Sequence, residues 1–384
     1  MRAMTRRIGI VAHSTNPRGG VVHALHLAEA LCAAGDDAVL IAPDVAGRGF
    51  FRRPACPVMC IPARPEADVA SMVERRIVEI RDAVRGMRLD IVHAQDPIGA
   101  NALADLVAEG ALPGFVRTVH HLDRFDDARL ARRQDRGVQA ATQLLCVSDM
   151  WRAVLRDQYG RDAQCVGNGV DVRQYWPQAD ARDDSIRQAL GLKDDAVIVL
   201  AVGGVEARKN TIALFEACLA LRGECPRLHL VIAGGATLLD HGAYRAAFDA
   251  RVRAAGADNW VTRAGVMADE AMPALYRAAH VLAYPSVSEG FGLCPLEALA
   301  CGVPVVLPRQ APFSEHLGAD DAVWCDPGDA ASLYRAMGCA LRDETRRSFR
   351  VRGPKAAGRF TWAAVAAAHR PAYDRLSGKA ALHA

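Results

Sequence analysis

The chain has 384 residues, of which 51% are hydrophobic, and at that length two domains with separate cores are the natural expectation. Its 47 basic and 44 acidic residues are interspersed and leave a net charge of only +3, which excludes the electrostatic footprint of a nucleic-acid binder. Eleven scattered cysteines without paired CxxC spacing exclude a zinc site and fit the reduced thiols of a cytoplasmic protein.

Ile8 to Ala12 reads as a buried strand, and Asn16 to Gly20 as a turn. The apolar run after Arg6-Arg7 is too short for a signal peptide and enters a glycine loop without a cleavage site. Val21 to Ala34 has helical periodicity and stops at Gly35. Ala38 to Ala42 is the next strand, Met72 to Met87 a helix and Ile91 to Ala94 a strand. A helix over 98–109, a strand Phe115 to His120, a helix near 129–141, a strand Gln143 to Ser148 and a helix Met150 to Gln158 continue the alternation. Val166 to Asp171 is a tight turn, and Gln178 to Asp184 reads as a linker. A second alternating series then starts. Its strands are Ala196 to Val202, Leu228 to Ala233, Val281 to Tyr284 and Val303 to Leu307, with helices between, one of them from Asn210. Trp362 to Leu376 is a last helix. Such βα repetition predicts two doubly wound parallel sheets. No window holds eighteen consecutive apolar residues, so no transmembrane helix is expected. The first strand lacks the G-x-G-x-x-G that a nicotinamide fold requires, because Gly19-Gly20 does not supply it.

Ser288 to Pro304 carries the chemistry. Glu289 opens a loop with Gly290 and Gly292, and is expected at an exposed place there. Pro295 suits the first position of a short apolar helix that Gly302 and Pro304 stop. Loop N–H groups, including those near Gly292 and Leu293, and the positive helix end form an anion site. Glu289 and Glu297 flank it with seven residues between them. Phosphate needs the N–H groups and vicinal hydroxyls need carboxylates, and a nucleotide sugar carries both.

The string EGFGLCPLEALACGVPV, from Glu289 to Val305, resembles the E-x7-E motif of the retaining glycosyltransferases of family 4 at every defined position. The resemblance implies an α/β GT-B fold: two doubly wound Rossmann-like domains facing across a cleft. It places an acceptor-side domain at residues 1–177, a nucleotide-sugar-binding domain at 178–358 and a C-terminal helix, 359–384, crossing back to the first. It implies that the backbone at Gly19 and Gly20 faces the donor phosphates. Thr118-Val119-His120 is similar to the family's T-x-H segment, whose histidine lies near the transferred sugar; His120 matches better and His121 is the reserve. Asn168-Gly169-Val170-Asp171 matches a structural junction turn. Gly203 to Lys209 resembles the family's G-R-x-x-x-x-K segment with one departure: Gly204 stands where the arginine is expected. Lys209 keeps its spacing toward the diphosphate, and Arg208 is the candidate for the missing guanidinium.

By the same resemblance, sugar leaves a UDP- or GDP-type donor with retention and without a bound metal or other cofactor. Lys209, Arg208 and the N–H groups stabilise the departing diphosphate. Glu289 holds hydroxyls of the transferred sugar, Glu297 the ribose diol, and His120 orients the sugar. Phe291 and Leu293 complete the donor loop, and Val266, within Gly265 to Met267, is the candidate wall for the base. The acceptor is read by first-domain loops including 44–66; a lipid-linked sugar, a small metabolite and a growing polysaccharide all fit. The segment Gly47 to Arg53 (GRGFFRR) is the candidate for a lipid or acceptor contact and for a weak peripheral membrane contact. A nucleotide-sugar epimerase and a catalytically silent nucleotide-sugar-binding protein are the alternatives, with a phosphorylase using Lys209 as a Schiff base behind them.

Overall fold

The structure, a computed structural model, describes residues 6–235 and 241–381. The chain divides into two compact units, residues 1–169 with 361–384, and residues 170–360.

The first unit builds a parallel sheet from β1 (Arg7–Val11), β2 (Asp37–Asp44), β3 (Val58–Pro62), β4 (Ile91–Ala94), β5 (Val116–Val119), β6 (Gln143–Cys146) and β7 (Gln164–Cys165). The crossovers are α1 (Gly19–Ala33), α2 (Val69–Val84), α3 (Pro97–Ala108), α4 (Ala128–Ala140) and α5 (Asp149–Tyr159). The spatial order β3-β2-β1-β4-β5-β6-β7 reverses between β1 and β4. Ile8 pairs in register with Ala38 on one side and Ile91 on the other, and all three are fully buried. Continuous apolar runs are what a parallel sheet covered on both faces requires.

The second unit repeats the plan with α6 (Arg182–Ala189), β8 (Val197–Val202), α7 (Thr211–Leu221), β9 (Leu228–Ala233), α8 (Gly242–Ala254), β10 (Val261–Gly265), α9 (Met272–Ala278), β11 (Val281–Ala283), α10 (Leu293–Ala300), β12 (Val305–Pro308), α11 (Phe313–His316), β13 (Val323–Cys325), α12 (Ala330–Leu341) and α13 (Asp343–Ala357). Its order, β10-β9-β8-β11-β12-β13, reverses between β8 and β11. Phe215, Phe248 and Trp260 pack the core, with the Phe215 and Trp260 rings stacked at 5.6 Å. The last helix, α14 (Trp362–Ala381), belongs to the first unit and packs on α1 and on the sheet.

Several elements differ from the sequence reading. Helix α2 starts at Val69, ahead of Met72, because Asp68 accepts the Ser71 N–H at 2.9 Å and caps it. Helix α1 starts at Gly19, so the two glycines are its first residues and not a turn before it. Helix α10 starts at Leu293, which puts Pro295 third; its missing N–H still falls among the unpaired donors of the first turn. The first crossing lies between Gly169 and Val170, ahead of 177/178. Tyr175 and Trp176 are held in the second unit: the Tyr175 ring meets Tyr276 at 5.9 Å and Arg277 lies 5.4 Å over Trp176. The stretch 178–184 is structured as well, since Asp183 pairs with Arg277 and α6 begins within it. The return crossing follows Phe360, whose ring packs 5.6 Å from His316. No helix among the described residues is long and apolar enough to cross a membrane.

Candidate functional site

In an open doubly wound sheet, ligands bind beyond the carboxyl ends of the strands where the order reverses. In the second unit those ends are the loops after β8 and β11. The β8 loop turns at Gly203, runs through a short 3-10 turn, Ala207–Lys209, and delivers Arg208 and Lys209. The β11 loop carries Tyr284 and then Glu289. The two loops are tied by the Val287 N–H, which donates to the Arg208 carbonyl at 2.9 Å.

Glu289 is the junction of the site. Its Oε1 accepts from Lys209 Nζ at 2.6 Å and from Arg208 Nη1 at 2.7 Å. The expected exposure of Glu289 is corrected here: its side chain is 9% exposed, because it is folded back between the two cations. Burial alone would raise its pKa; Lys209 and Arg208 overcome that and hold it below the ordinary carboxylate value. Lys209 also donates to the Tyr284 hydroxyl and sits 4.1 Å over that ring. Burial, then Glu289, pushes the Tyr284 phenol up.

The departure at Gly204 has a physical cause. A Cβ there would lie 2.8 Å from Glu206 Oε1 and 2.9 Å from the Gly235 carbonyl, so no side chain fits. Glu206 is buried, and its Oε2 approaches Arg208 at 3.4 Å. The guanidinium therefore reaches the Lys209–Glu289 pair from position 208, clamped between two carboxylates.

Gly292 precedes α10 with φ +104, a conformation that favours glycine, and no side chain caps the helix. A Cβ there would strike Phe313 at 2.6 Å. The first N–H groups of α10, from Leu293 on, are thus left for a ligand. Gly290 is half-buried beside Glu289. The Phe291 ring is buried and stacked on His316 at 4.2 Å, so only its backbone is presented. Glu297 accepts from the Tyr276 hydroxyl at 2.6 Å, with Tyr175 also beside it. Burial pushes its pKa up to about 7, the tyrosine hydroxyls oppose this, and Asp269 adds to it. At the ends of β9 and β10 the Gly234 N–H donates to the Gly265 carbonyl at 2.7 Å, and Val266 is 64% exposed next to Gly235. Val266 is an open apolar ledge on the same sheet edge as Gly203 and Gly204.

The first unit has its own reversal point. Gly19 and Gly20 begin α1 after β1, and no side chain caps that helix. His120 ends β5, half-buried, and its Nε2–H donates to Gln95 Oε1, at the end of β4, at 2.9 Å. A Cβ on Gly20 would lie 3.3 Å from the His120 ring. His121 is exposed and pairs with Asp123 at 3.2 Å. Behind His120 stand residues that the sequence reading did not single out. The His23 ring meets His120 edge-on at 4.7 Å, and its Nδ1–H donates to Asn168. His93 pairs with Thr118 at 2.8 Å and with the Tyr373 hydroxyl at 2.9 Å. His369 of α14 completes the cluster, 5.4 Å from His93. Burial, then the neighbouring imidazoles, holds His120 well below its ordinary value. Among the described residues no group of three or more His, Cys, Asp or Glu side chains is placed to hold a metal ion.

The 47–53 segment forms a turn closed by Asp44, which accepts from the Gly47 and Gly49 N–H groups at 2.9 and 2.7 Å. Phe50 is buried, and Arg52 makes a two-pronged pair with Glu29 at 2.6 and 2.7 Å. Arg48 and Arg53 remain exposed. Phe50 and Arg52 are therefore taken up by the unit's own packing.

The chain matches the family models Glycosyltransferase Family 4 over residues 17–174 and Glycosyl transferases group 1 over 182–356. It is 31% identical over 309 residues to a D-inositol 3-phosphate glycosyltransferase of Xylanimonas cellulosilytica, covering 75% of this chain and 72% of that one. Matches to several other curated relatives span about half to three-fifths of their length. Among solved structures, a sucrose-phosphate synthase from Thermosynechococcus elongatus superposes with TM-score 0.79 at 22% identity, covering 97% and 99% of the two chains. An Anabaena protein in complex with UDP-glucose superposes with TM-score 0.76 at 19% identity, covering 97% and 100%.

Proposed function

Because the chain belongs to glycosyltransferase family 4 and has the GT-B fold, we propose that it moves a sugar from a nucleoside-diphosphate sugar to a hydroxyl acceptor with retention of configuration. The observation that carries this reading is Lys209 and Arg208 converging on Glu289 beside the uncapped start of α10. A departing diphosphate gains negative charge, and two cations with oriented N–H dipoles stabilise it where it develops. Glu289 then has two tasks: it fixes both cations and accepts from hydroxyls of the transferred sugar. Glu297, about one turn into α10, accepts from the ribose diol. Val266 stacks under the base. His120, neutral and fixed by Gln95, is a polar contact for the transferred sugar.

The donor is UDP-linked in this proposal, the donor type bound in the Anabaena structure. The acceptor class to test first is a phosphorylated polyol or sugar, as the names of the inositol-phosphate and sucrose-phosphate relatives suggest. Transfer needs no divalent ion, because fixed cations already occupy the leaving-group side. The test is release of nucleoside diphosphate from a panel of UDP-, GDP- and ADP-sugars, each run with and without EDTA. Release from a UDP-sugar that survives EDTA supports the proposal. Absence of release from every donor overturns it, and loss with EDTA rescued by magnesium overturns the metal-free part.

A further inference from the structure

The second sheet carries another cavity at the opposite edge from Lys209 and Glu289. It opens where β11 and β12 begin, at His280 and Pro304, and measures about 260 Å³. A single water needs only ~10–15 Å³. Helix α13 lines it with Arg346, Arg347 and Arg350, and α9 with Arg277. Against these four arginines stand two lining aspartates, Asp183 and Asp343.

The three arginines of α13 are not fully neutralised by their neighbours. Asp343 is 76% exposed and reaches Arg346 only at 3.3 Å. Among the described residues neither Arg347 nor Arg350 has an acidic partner. Arg277 is different, since its side chain is 3% exposed. Its Nη2 donates to Asp183 at 2.6 Å and contacts Asp180 at 3.0 Å, yet its Nη1 is buried without any partner. Two carboxylates thus hold Arg277 in the cavity wall, and its closed-off Nη1 is not among the groups that face a ligand. His280 takes the Ile198 N–H on Nδ1 at 3.1 Å. Burial, then Arg346, Arg187 and Arg227, pushes it down to about 4, against a smaller opposing pull from Asp343. The cavity is thus walled by a surplus of positive charge, with fork-shaped donors suited to tetrahedral oxyanions.

We propose that this cavity binds a small phosphate-bearing anion, with Arg346, Arg347 and Arg350 of α13 as its donors. The site is separate from the donor edge and does not depend on the glycosyl-transfer reading. It lies on the far side of the helix that carries Glu297: α13 packs so closely on α10 that a Cβ on Gly353 would meet the Leu299 carbonyl at 2.7 Å.

The test uses the full chain with inorganic phosphate and inorganic pyrophosphate, and with chloride at matched ionic strength as control. Hydrogen exchange read by mass spectrometry is expected to slow at residues 277–280 and 343–351, and to do so equally in Lys209→Ala. In an Arg347→Ala/Arg350→Ala double variant made in the Lys209→Ala background, whose two changes on α13 are exposed, the pyrophosphate concentration that gives half of the protection at 277–280 and 343–351 should rise by at least about tenfold. Protection confined to residues 203–209 and 289–297 would overturn the proposal, as would a double variant that folds and keeps its affinity. Chloride matching the effect of pyrophosphate would reduce it to screening and overturn it too.

Discussion

Lys209 Nζ and Glu289 Oε1 lie 2.6 Å apart with side-chain exposures of 12% and 9%, and Arg208 leans on the same carboxylate oxygen. Arg208 also reaches the buried Glu206, so two cations face two carboxylates, and in the proposed reaction a diphosphate would draw on cations that the protein already holds in place. The same arrangement makes Glu289 structural as well as functional. Glu289→Ala should lower turnover by about two to three orders of magnitude. It should also destabilise the second unit by about 2–4 kcal/mol, because removing one member of a nearly buried pair strands the others. Urea unfolding beside donor turnover checks both. In a double-mutant cycle, Lys209→Met with Glu289→Met should cost less stability than the sum of the singles. Simple additivity would mean that the pair is not coupled.

If Arg208 stands in for the arginine absent at 204, its loss should weaken binding of the nucleoside diphosphate. One charge-assisted hydrogen bond is worth about 1.5–3 kcal/mol, so UDP should bind roughly tenfold or more weakly to Arg208→Gln. Restoring the arginine at its usual place should not help. Gly204→Arg forces a Cβ to within 2.8 Å of Glu206 and 2.9 Å of the Gly235 carbonyl. The combined Gly204→Arg/Arg208→Gln chain is therefore expected to be less stable and no better a binder. Calorimetric titration with UDP decides, and recovery of affinity would contradict this account of the departure.

Where the candidate site lies was legible in the sequence because glycine-rich loops at strand ends are backbone-defined strings that admit few substitutes. The run from Glu289 to Pro304 and the glycines at 19, 20, 203 and 204 are of that kind. The interior strands β1, β4, β8 and β12 were legible for a related reason: burial on both faces demands a largely apolar run. The strands β3, β7, β10 and β13 were not, because they are short or lie toward the sheet edges, and Val58 and Met59 in β3 are exposed. Nor was Glu289's burial, since it depends on two cations eighty residues earlier folding onto it. The partners of His120 escaped for the same reason: His23, Gln95, Asn168 and His369 come from four separate segments. Tyr284 and Tyr276 carried a weaker signal, as polar-tipped aromatics in otherwise apolar runs.

Glu297 supplies a pH test. Its folded pKa is raised to about 7, so between its unfolded value and 7 the native state holds a proton that the unfolded chain does not. Stability from this group is therefore full at pH 4 and lost as pH rises through 7. Glu297→Gln should stabilise the second unit by about 1–3 kcal/mol at pH 8 and hardly at all at pH 4.5. Donor binding should run the other way. A diol needs the carboxylate, so KM for the donor should rise as pH falls below about 7 in the wild type, and that inflection should vanish in Glu297→Gln. An inflection that persists in the variant would assign it to another group.

The imidazole cluster of the first unit predicts the opposite slope there. His23, His93 and His369 have no exposed surface, and no carboxylate is among the groups that set their protonation. Burial dominates each: His23 is pushed down to about 4, His369 to about 3, and His93 well below its ordinary value. The folded state therefore prefers the neutral rings. Below pH 6.5 the unfolded chain takes up protons that the native unit refuses, so stability is full above 6.5 and is lost as pH falls toward 4. With His120, held down in the same way, four such groups give a slope of about 5 kcal/mol per pH unit near pH 5. Hydrogen exchange of residues 91–95 and 362–376, measured at pH 7.5, 6 and 5 and corrected for intrinsic rate, reads this unit apart from Glu297. His369→Phe should flatten the slope by about a quarter, and it should be tolerated at pH 7.5. Its Nε2 is buried without a partner and its Nδ1–H serves only the Val365 carbonyl at 2.7 Å, so a ring without nitrogens removes an unmet polar group. Protection that stays level from pH 7.5 to 5 would show that the cluster accepts protons in the folded state, and that its neutrality is not what ties α14 to the sheet.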